Sequence, residues 1–272
     1  MPLTHYRCPD NQAISITDCL STCRLGSRCL TKSTLRVIAE TQRPWDGIPH
    51  VTQLLNGTML EYLKITRDYC IKPKDRAFAL LGSSHHKMLE ATMYEKGPSM
   101  MLEYDGFVSE LELNIGWVQG TLDLIEREDN TMVMVDYKCW GSNRLCRGSK
   151  FDPSQVDLAE VSLQMNMYRI MAEHTYNWHI DQLQVQCTVR DGGLAVATKR
   201  GVTENMYLLP VSRLHDDVVL AYFQAKAKLL QDALAHKDQL PEPCSNEERW
   251  GGNRCRNYCE VAGFCSIGVQ YL

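Results

Sequence analysis

The stretch MVMVDYKCWG, Met132 to Gly141, decides how this sequence folds. Four apolar residues in succession read as a strand buried on both faces. Asp136 and Lys138 follow two positions apart, and side chains at i and i+2 of a strand share a face. A carboxylate and an ammonium therefore stand side by side where a core strand ends. Just upstream, GFVSELELNIGWVQGTLDLIERE (residues 106–128) alternates and is rich in strand formers, which predicts two more strands. Asp129-Asn130 is a turn signal before the opening stretch. With that pair at the centre of a hairpin, facing residues carry numbers that sum to 259, so Asp123 opposes Asp136. The β-carbons of such a pair lie roughly 4.5–5.5 Å apart. Two carboxylates that close repel each other and raise at least one pKa, and a divalent cation between them removes the conflict. Hard cations such as Mg²⁺ take carboxylate oxygens and keep waters for chemistry. Lys138 then points at whatever the cation activates. Glu110 and Glu112, on the preceding strand, share a face with each other, and one of them, Glu110 for preference, adds an acidic group near the pair.

Residues 31–45 (TKSTLRVIAETQRPW) predict a short amphipathic helix ending before Pro44. Residues 51–69 predict a second helix and residues 75–96 a third. Beyond the opening stretch, residues 141–153 form a polar, basic loop. Its Arg144, Arg147 and Lys150 are placed to meet phosphate, with Trp140 as an aromatic surface beside them. Ser154 reads as the N-cap of a helix running to about His174. IDQLQVQCTVR (180–190), LAVATK (194–199) and MYLLPV (206–211) read as strands, and residues 216–237 as a long amphipathic helix stopped by LPEP. The order helix, three strands, helix, strand defines an α/β (α+β) core.

At 272 residues the chain fits one large domain or a domain with substantial additions. A net charge of −4 gives no global basic field, so any affinity for nucleic acid has to come from a local cationic stripe. The N-terminus lacks the apolar core of a secretory signal, and no apolar run approaches the roughly 20 residues that span a bilayer. A cytoplasmic protein with no membrane partner is the expectation. Oligomeric state is not legible.

GTLD (120–123) followed by VDYK (135–138) resembles the G-x-x-D … D-x-K signature of the PD-(D/E)XK nuclease superfamily, in its RecB-like exonuclease branch. LLGSSHHKMLEA is similar to that branch's upstream G-x-x-x-H motif at Gly82 and His86, and LQMNMYRI to its downstream Q-x-x-x-Y motif at Gln164 and Tyr168. The resemblance covers about residues 75–190. It implies a restriction-endonuclease-like core, a central mixed sheet flanked by helices, that hydrolyses phosphodiester bonds with Mg²⁺ or Mn²⁺. Asp123, Asp136 and His86 would hold that metal, a His ligand making Mn²⁺ an alternative. Gly82, one turn before His86, would let its helix approach the sheet. Lys138 would stabilise the transition state or help deprotonate the water, and Gln164 and Tyr168, sharing a helix face, would orient the strand. The implied activity is a deoxyribonuclease, an exonuclease acting on single-stranded DNA or duplex ends. A structure-specific or restriction-type endonuclease and a non-catalytic nucleic-acid-binding protein are the rival readings.

Of twelve cysteines, four lie in the first 29 residues and four in the last 29. Cys70, Cys139 and Cys187 sit beside apolar runs and read as core thiols. Cys8, Cys19, Cys23 and Cys29 run C-x10-C-x3-C-x5-C, and Cys244, Cys255, Cys259 and Cys265 repeat the same intervals. Each quartet could close on one structural Zn²⁺. Some RecB-like exonucleases, the AddB-type and CRISPR-associated ones, instead tie one upstream and three downstream cysteines around a [4Fe–4S] cluster. That resemblance selects Cys23 with Cys255, Cys259 and Cys265, although the relatives show C-x2-C-x5-C. Either metal would clamp the Cys-rich ends into one metal-bound lobe. The resulting division is 1–74 for the Cys-rich N-terminal segment and helices, 75–213 for the core, and 214–272 for the long helix and Cys-rich tail.

Overall fold

The structure, a computed structural model, describes residues 3–42, 44–90, 99, 102–103, 106–146, 148 and 150–272, apart from the side chains of His85, His86, Leu89 and Glu90. By their contacts these residues divide into two units, one of Met1–Leu80 with Gln224–Leu272 and one of Leu81–Phe223.

The first unit opens with elements that the sequence patterns did not announce. β1 (Leu3–Arg7) pairs antiparallel with β2 (Ala13–Ser15) and parallel with β3 (Tyr69–Ile71), in the order β2-β1-β3. Between them lie α1 (Ile16–Ser21), α2 (Lys32–Glu40), α3 (Val51–Leu54) and α4 (Thr58–Thr66). Tyr6 and Leu35 are buried, and the Tyr6 hydroxyl donates to the Leu35 carbonyl at 2.7 Å, which fastens β1 to α2. The helix expected over residues 51–69 is broken at Asn56-Gly57, because Gly57 caps α4 and its missing side chain leaves room for Cys244. Its last residue, Tyr69, belongs to β3. A 3-10 turn (Pro73–Arg76) leads into α5 (Ala77–Glu90), and residues 91–96 of the third expected helix lie outside the described residues.

The second unit is built on a five-stranded mixed sheet, β4-β5-β6-β7-β8. β4 (Phe107–Asn114), β5 (Gln119–Glu128) and β6 (Thr131–Trp140) are antiparallel neighbours. After α6 (Ser142–Cys146) and α7 (Ala159–Tyr176), β7 (Gln182–Val189) returns parallel to β6. α8 (Ala195–Lys199) precedes β8 (Met206–Val211), an edge strand antiparallel to β7 that tolerates Pro210 because its outer side needs no ladder donor. β6 is flanked by β5 and β7, and Val133, Met134 and Val135 are all buried, so residues of either face avoid water. α7 runs against β4, β5 and β6.

Two local expectations fail here. LAVATK is the helix α8 rather than a strand, since an Ala-containing segment after Gly192-Gly193 satisfies its own backbone as one turn. Ser154 does not cap α7. Asp152 caps a 3-10 turn over Pro153–Gln155, and α7 starts at Ala159, whose N–H bonds the Asp157 carboxylate at 3.0 Å. α9 (Asp216–Ala235) and the short α10 (Asn253–Asn257) complete the chain's helices of α type among the described residues. No helix among them is long and apolar enough to cross a membrane.

Arg169 fixes α7 to the connection between β8 and α9. Fully buried, it bonds Glu173 at 2.7 Å, Asp216 at 2.5 Å and the Asn166 carboxamide at 3.3 Å. Removing one partner of a buried charge pair typically costs about 3–5 kcal/mol, although the Asp216 side chain is 54% exposed and screens its share. Arg169→Ala should lower stability by about 3 kcal/mol in urea unfolding. A loss below about 1 kcal/mol, the size of a surface ion pair, would show that the network is incidental.

Candidate active site

The β5–β6 ladder runs Leu124↔Val135 through Glu128↔Thr131, the register expected from Asp129-Asn130. The pairing stops there, and just beyond it the Asp123 carboxylate takes the Tyr137 N–H at 2.7 Å. The acid thus occupies the ladder at the end of the paired stretch. On the other side of β5 the register Ser109↔Leu124 and Leu111↔Leu122 puts Glu110 beside Asp123. Glu110 drops out of that ladder, its φ of +50° being a left-handed conformation unusual for a non-glycine residue. Glu110 and Asp123 therefore form one row across β4 and β5, with Asp136 beside Tyr137 on β6. Glu112 is exposed.

Asp136 is only 3% exposed. A buried carboxylate needs partners, and two reach it. Lys138 Nζ contacts Oδ2 at 2.7 Å, and the Gln164 amide donates to Oδ1 at 3.3 Å. Gln164 also accepts from Lys138 Nζ at 3.3 Å, closing a triangle between β6 and α7. Burial alone would lower the Lys138 pKa, but Asp136, then Asp123 and Glu160, together hold it above the ordinary lysine value. Glu160 was not singled out by motif. It lies one turn before Gln164 and two before Tyr168, so the three form a stripe along α7. Burial first, then Glu126, Asp123 and Glu110, push the Tyr137 phenol up to about 12.

Tyr168 is buried over Gly120. A β-carbon at Gly120 would come within 2.6 Å of the Tyr168 ring, so the glycine of GTLD makes room for the tyrosine of the helix motif. The signal was available in sequence, since a glycine inside a strand marks close approach.

The other expected residues are placed less centrally. Arg144 is engaged, donating to the Asp157 carbonyl at 2.8 Å and lying 4.9 Å over the Trp140 ring, so that ring is covered by a cation. Lys150 is exposed, and Arg147 lies outside the described residues. Gly82 and His86 fall on α5. No described atom lies within 4 Å of a β-carbon built on Gly82, so close packing does not explain that glycine. The His86 side chain lies outside what is described.

Among the described residues no group of three or more His, Cys, Asp or Glu side chains is arranged to hold a metal ion. None of the twelve cysteines is joined in a disulfide. Cys187 is buried as expected, whereas Cys70 and Cys139 are half-exposed. The two acids nearest Lys138, with Glu110 in their row, offer hard oxygen donors of the kind Mg²⁺ and Mn²⁺ take.

A mixed sheet bearing acids on adjacent strands and a lysine two residues after one of them defines a class of phosphodiester-cleaving enzymes. The chain belongs to that class by family: residues 73–266 match the model of the PD-(D/E)XK nuclease superfamily, and the chain is a member of it. Membership implies a nucleic-acid substrate and, generally in these nucleases, Mg²⁺ or Mn²⁺. Among solved structures, the chain is similar to SSO0001, with 16% identity over 87% of this chain and 94% of that one, at a TM-score of 0.45. It is also similar to a phage-related exonuclease from Haemophilus somnus 129PT, with 11% identity over 60% of this chain and 83% of that one, at a TM-score of 0.34. No curated protein matches.

Two outcomes follow from this geometry. Gly120→Ala should displace Tyr168 and cost about 1–3 kcal/mol by overpacking, and Tyr168→Leu in the same chain should recover part of that loss. Equal loss in single and double variants would mean that the contact is not the cause. Because the folded pKa of Lys138 is raised, its pairing stabilises the fold fully below the ordinary value of 10.5, and that contribution is lost as pH climbs through the folded value. In metal-free buffer, Lys138→Met should flatten the alkaline fall in stability above pH 10.5. An unchanged profile would assign that fall to other groups.

Proposed function

We propose that the protein is a metal-dependent deoxyribonuclease, an exonuclease acting on single-stranded DNA or duplex ends, with a core spanning residues 75–213. The observation that carries the reading is the triangle of Asp136, Lys138 and Gln164 beside Asp123. Preference for strand ends rests on the likeness to RecB-like exonucleases in the motifs at Gly82, His86, Gln164 and Tyr168.

Each residue has a task that its surroundings support. Asp123 and Asp136 supply carboxylate oxygens to Mg²⁺ or Mn²⁺, with Glu110 and His86 as further donors. When bound, the ion supplies a water of lowered pKa and neutralises charge on the phosphate. Asp123 is fixed by the Tyr137 N–H, so its carboxylate is oriented before substrate arrives. Gln164 holds both Asp136 and Lys138, and so sets their separation. Lys138 presents an ammonium to the phosphate oxygens, where charge develops as the bond to the leaving oxygen breaks. Tyr168, seated on Gly120, keeps α7 at the distance Gln164 needs.

Digestion of 5′- and 3′-labelled single-stranded DNA with Mn²⁺ tests the reading. Lys138→Ala should lower the rate by about 100-fold or more, the effect of losing one donor aimed at developing charge. Asp136→Asn should remove activity while leaving circular dichroism unchanged. Cleavage that Lys138→Ala leaves untouched overturns the proposal, and cutting of closed circular single strands reassigns it to an endonuclease.

A further inference from the structure

A chain of net charge −4 can hold nucleic acid only through a local concentration of positive charge. Two stretches of the second unit supply one. Residues 140–151 contain no Asp or Glu, and residues 190–203 contain a single acid, Asp191. The described cations are Arg144 and Lys150 in the first stretch and Arg190, Lys199 and Arg200 in the second. That is five cations to one carboxylate, and the second stretch lies outside every motif of the sequence.

Folding sets the two stretches side by side where β6 ends. The Arg190 N–H bonds the Trp140 carbonyl at 2.8 Å, which carries the β6–β7 pairing one residue past Val189. The Arg190 guanidinium lies against Gly141, 3.7 Å from where a β-carbon would stand. Next along the chain, Ser142 gives its N–H and its hydroxyl to the two oxygens of Asp191, each at 2.6 Å. The one acid is thus turned onto the strand end, with Arg200 3.8 Å away. Arg200 also donates to the Ser142 hydroxyl oxygen at 2.8 Å, and its carbonyl takes the Phe151 N–H at 2.7 Å. The Lys150 stem passes Gly201, 3.8 Å from where its β-carbon would stand. Arg144 covers the Trp140 ring at 4.9 Å. Lys150, Arg190 and Lys199 are exposed, and Arg144 and Arg200 are half-buried. Like charges gathered this closely repel one another, and an anion laid across them relieves the repulsion.

We propose that Arg144, Lys150, Arg190, Lys199 and Arg200 form a subsite for the phosphate backbone of the nucleic-acid strand, separate from the scissile position. The group begins two residues beyond Lys138 on β6, roughly 7 Å at about 3.3 Å per residue. A strand in helical form carries one phosphate per roughly 3.4 Å of axis, so the subsite holds backbone about two phosphates beyond the one that Lys138 faces. This deepens the nuclease reading and rests on it for the role of Lys138. With the Trp140 ring covered by Arg144, the subsite grips charge and carries no sequence information. Arg190 and Lys199 are positioning residues, since they hold the strand and leave the reacting atoms to the acids and Lys138.

Fluorescence anisotropy of a labelled single-stranded oligonucleotide, in metal-free buffer over a range of salt, tests the subsite without any cleavage. Each phosphate contact on a single strand contributes about −0.7 to the slope of log affinity against log salt. Arg190→Gln and Lys199→Gln, both at exposed positions, should each make the slope shallower by about 0.7, and the double variant by about 1.4. Arg190→Lys should keep the native slope. Lys228→Gln, which removes an exposed charge from the first unit, should keep it too. In Mn²⁺ digestion, Arg190→Gln should raise KM by more than it lowers kcat. Slopes that Arg190→Gln and Lys199→Gln leave as native, or that Lys228→Gln changes equally, overturn the subsite and leave the nuclease reading standing. A native chain that binds no nucleic acid overturns both.

Discussion

A carboxylate inside a core strand governs this architecture. Asp136 is nearly inaccessible yet lies one residue after a run of buried apolar side chains. An ionised group there is several kcal/mol worse off than in water unless its lone pairs are met. Lys138 meets it from two residues along the strand, and Gln164 meets it from α7. The second contact forces the helix to lie close to the sheet at that level. Gly120 permits that closeness one turn further along, where Tyr168 would otherwise collide with β5. A single buried charge thus dictates where α7 sits, which strand residue must lack a side chain, and where a lysine must stand.

The same row stores strain. Glu110 adopts φ +50° in the middle of β4, between Ser109 and Leu111 that both pair normally with β5. Residues held in the left-handed region cost of order 1–3 kcal/mol and persist where their surroundings over-determine them. Here those surroundings are the intact ladder steps on either side. The acid is consequently turned out of regular pleat register beside Asp123.

Much of this core was legible because its signals were periodic or paired. Alternation marked β4 and β5, the Asp129-Asn130 turn set the β5–β6 register, and the i, i+4 spacing put Gln164 and Tyr168 on one face. Short elements were less legible. β1 and β2 have five and three residues, too few for a period to show. LAVATK is a single helical turn whose apolar pattern suits strand or helix equally. Glu160 was missed because an exposed glutamate in a first turn reads as an ordinary favourable charge at a helix N-terminus. Gly120 was visible as part of GTLD, but what it makes room for could only be known once α7 had been laid on the sheet.

The first unit is built from the two ends of the chain, which lie far apart in sequence. The sequence spacing allowed a metal shared between ends, which would itself be the clamp. The first unit has to join Met1–Leu80 to Gln224–Leu272. Closing so long a separation costs about 4 kcal/mol in chain entropy beyond a constant term. Direct contacts between the two segments answer that cost. Glu260 takes Arg76 at 2.7 Å and Lys64 at 3.2 Å, and these cations hold its carboxyl below the usual range although burial alone would raise it. Tyr62 donates to the Lys237 carbonyl at 3.4 Å, and Gly57 admits Cys244. The partly buried Glu260 is the charged tie between the two segments.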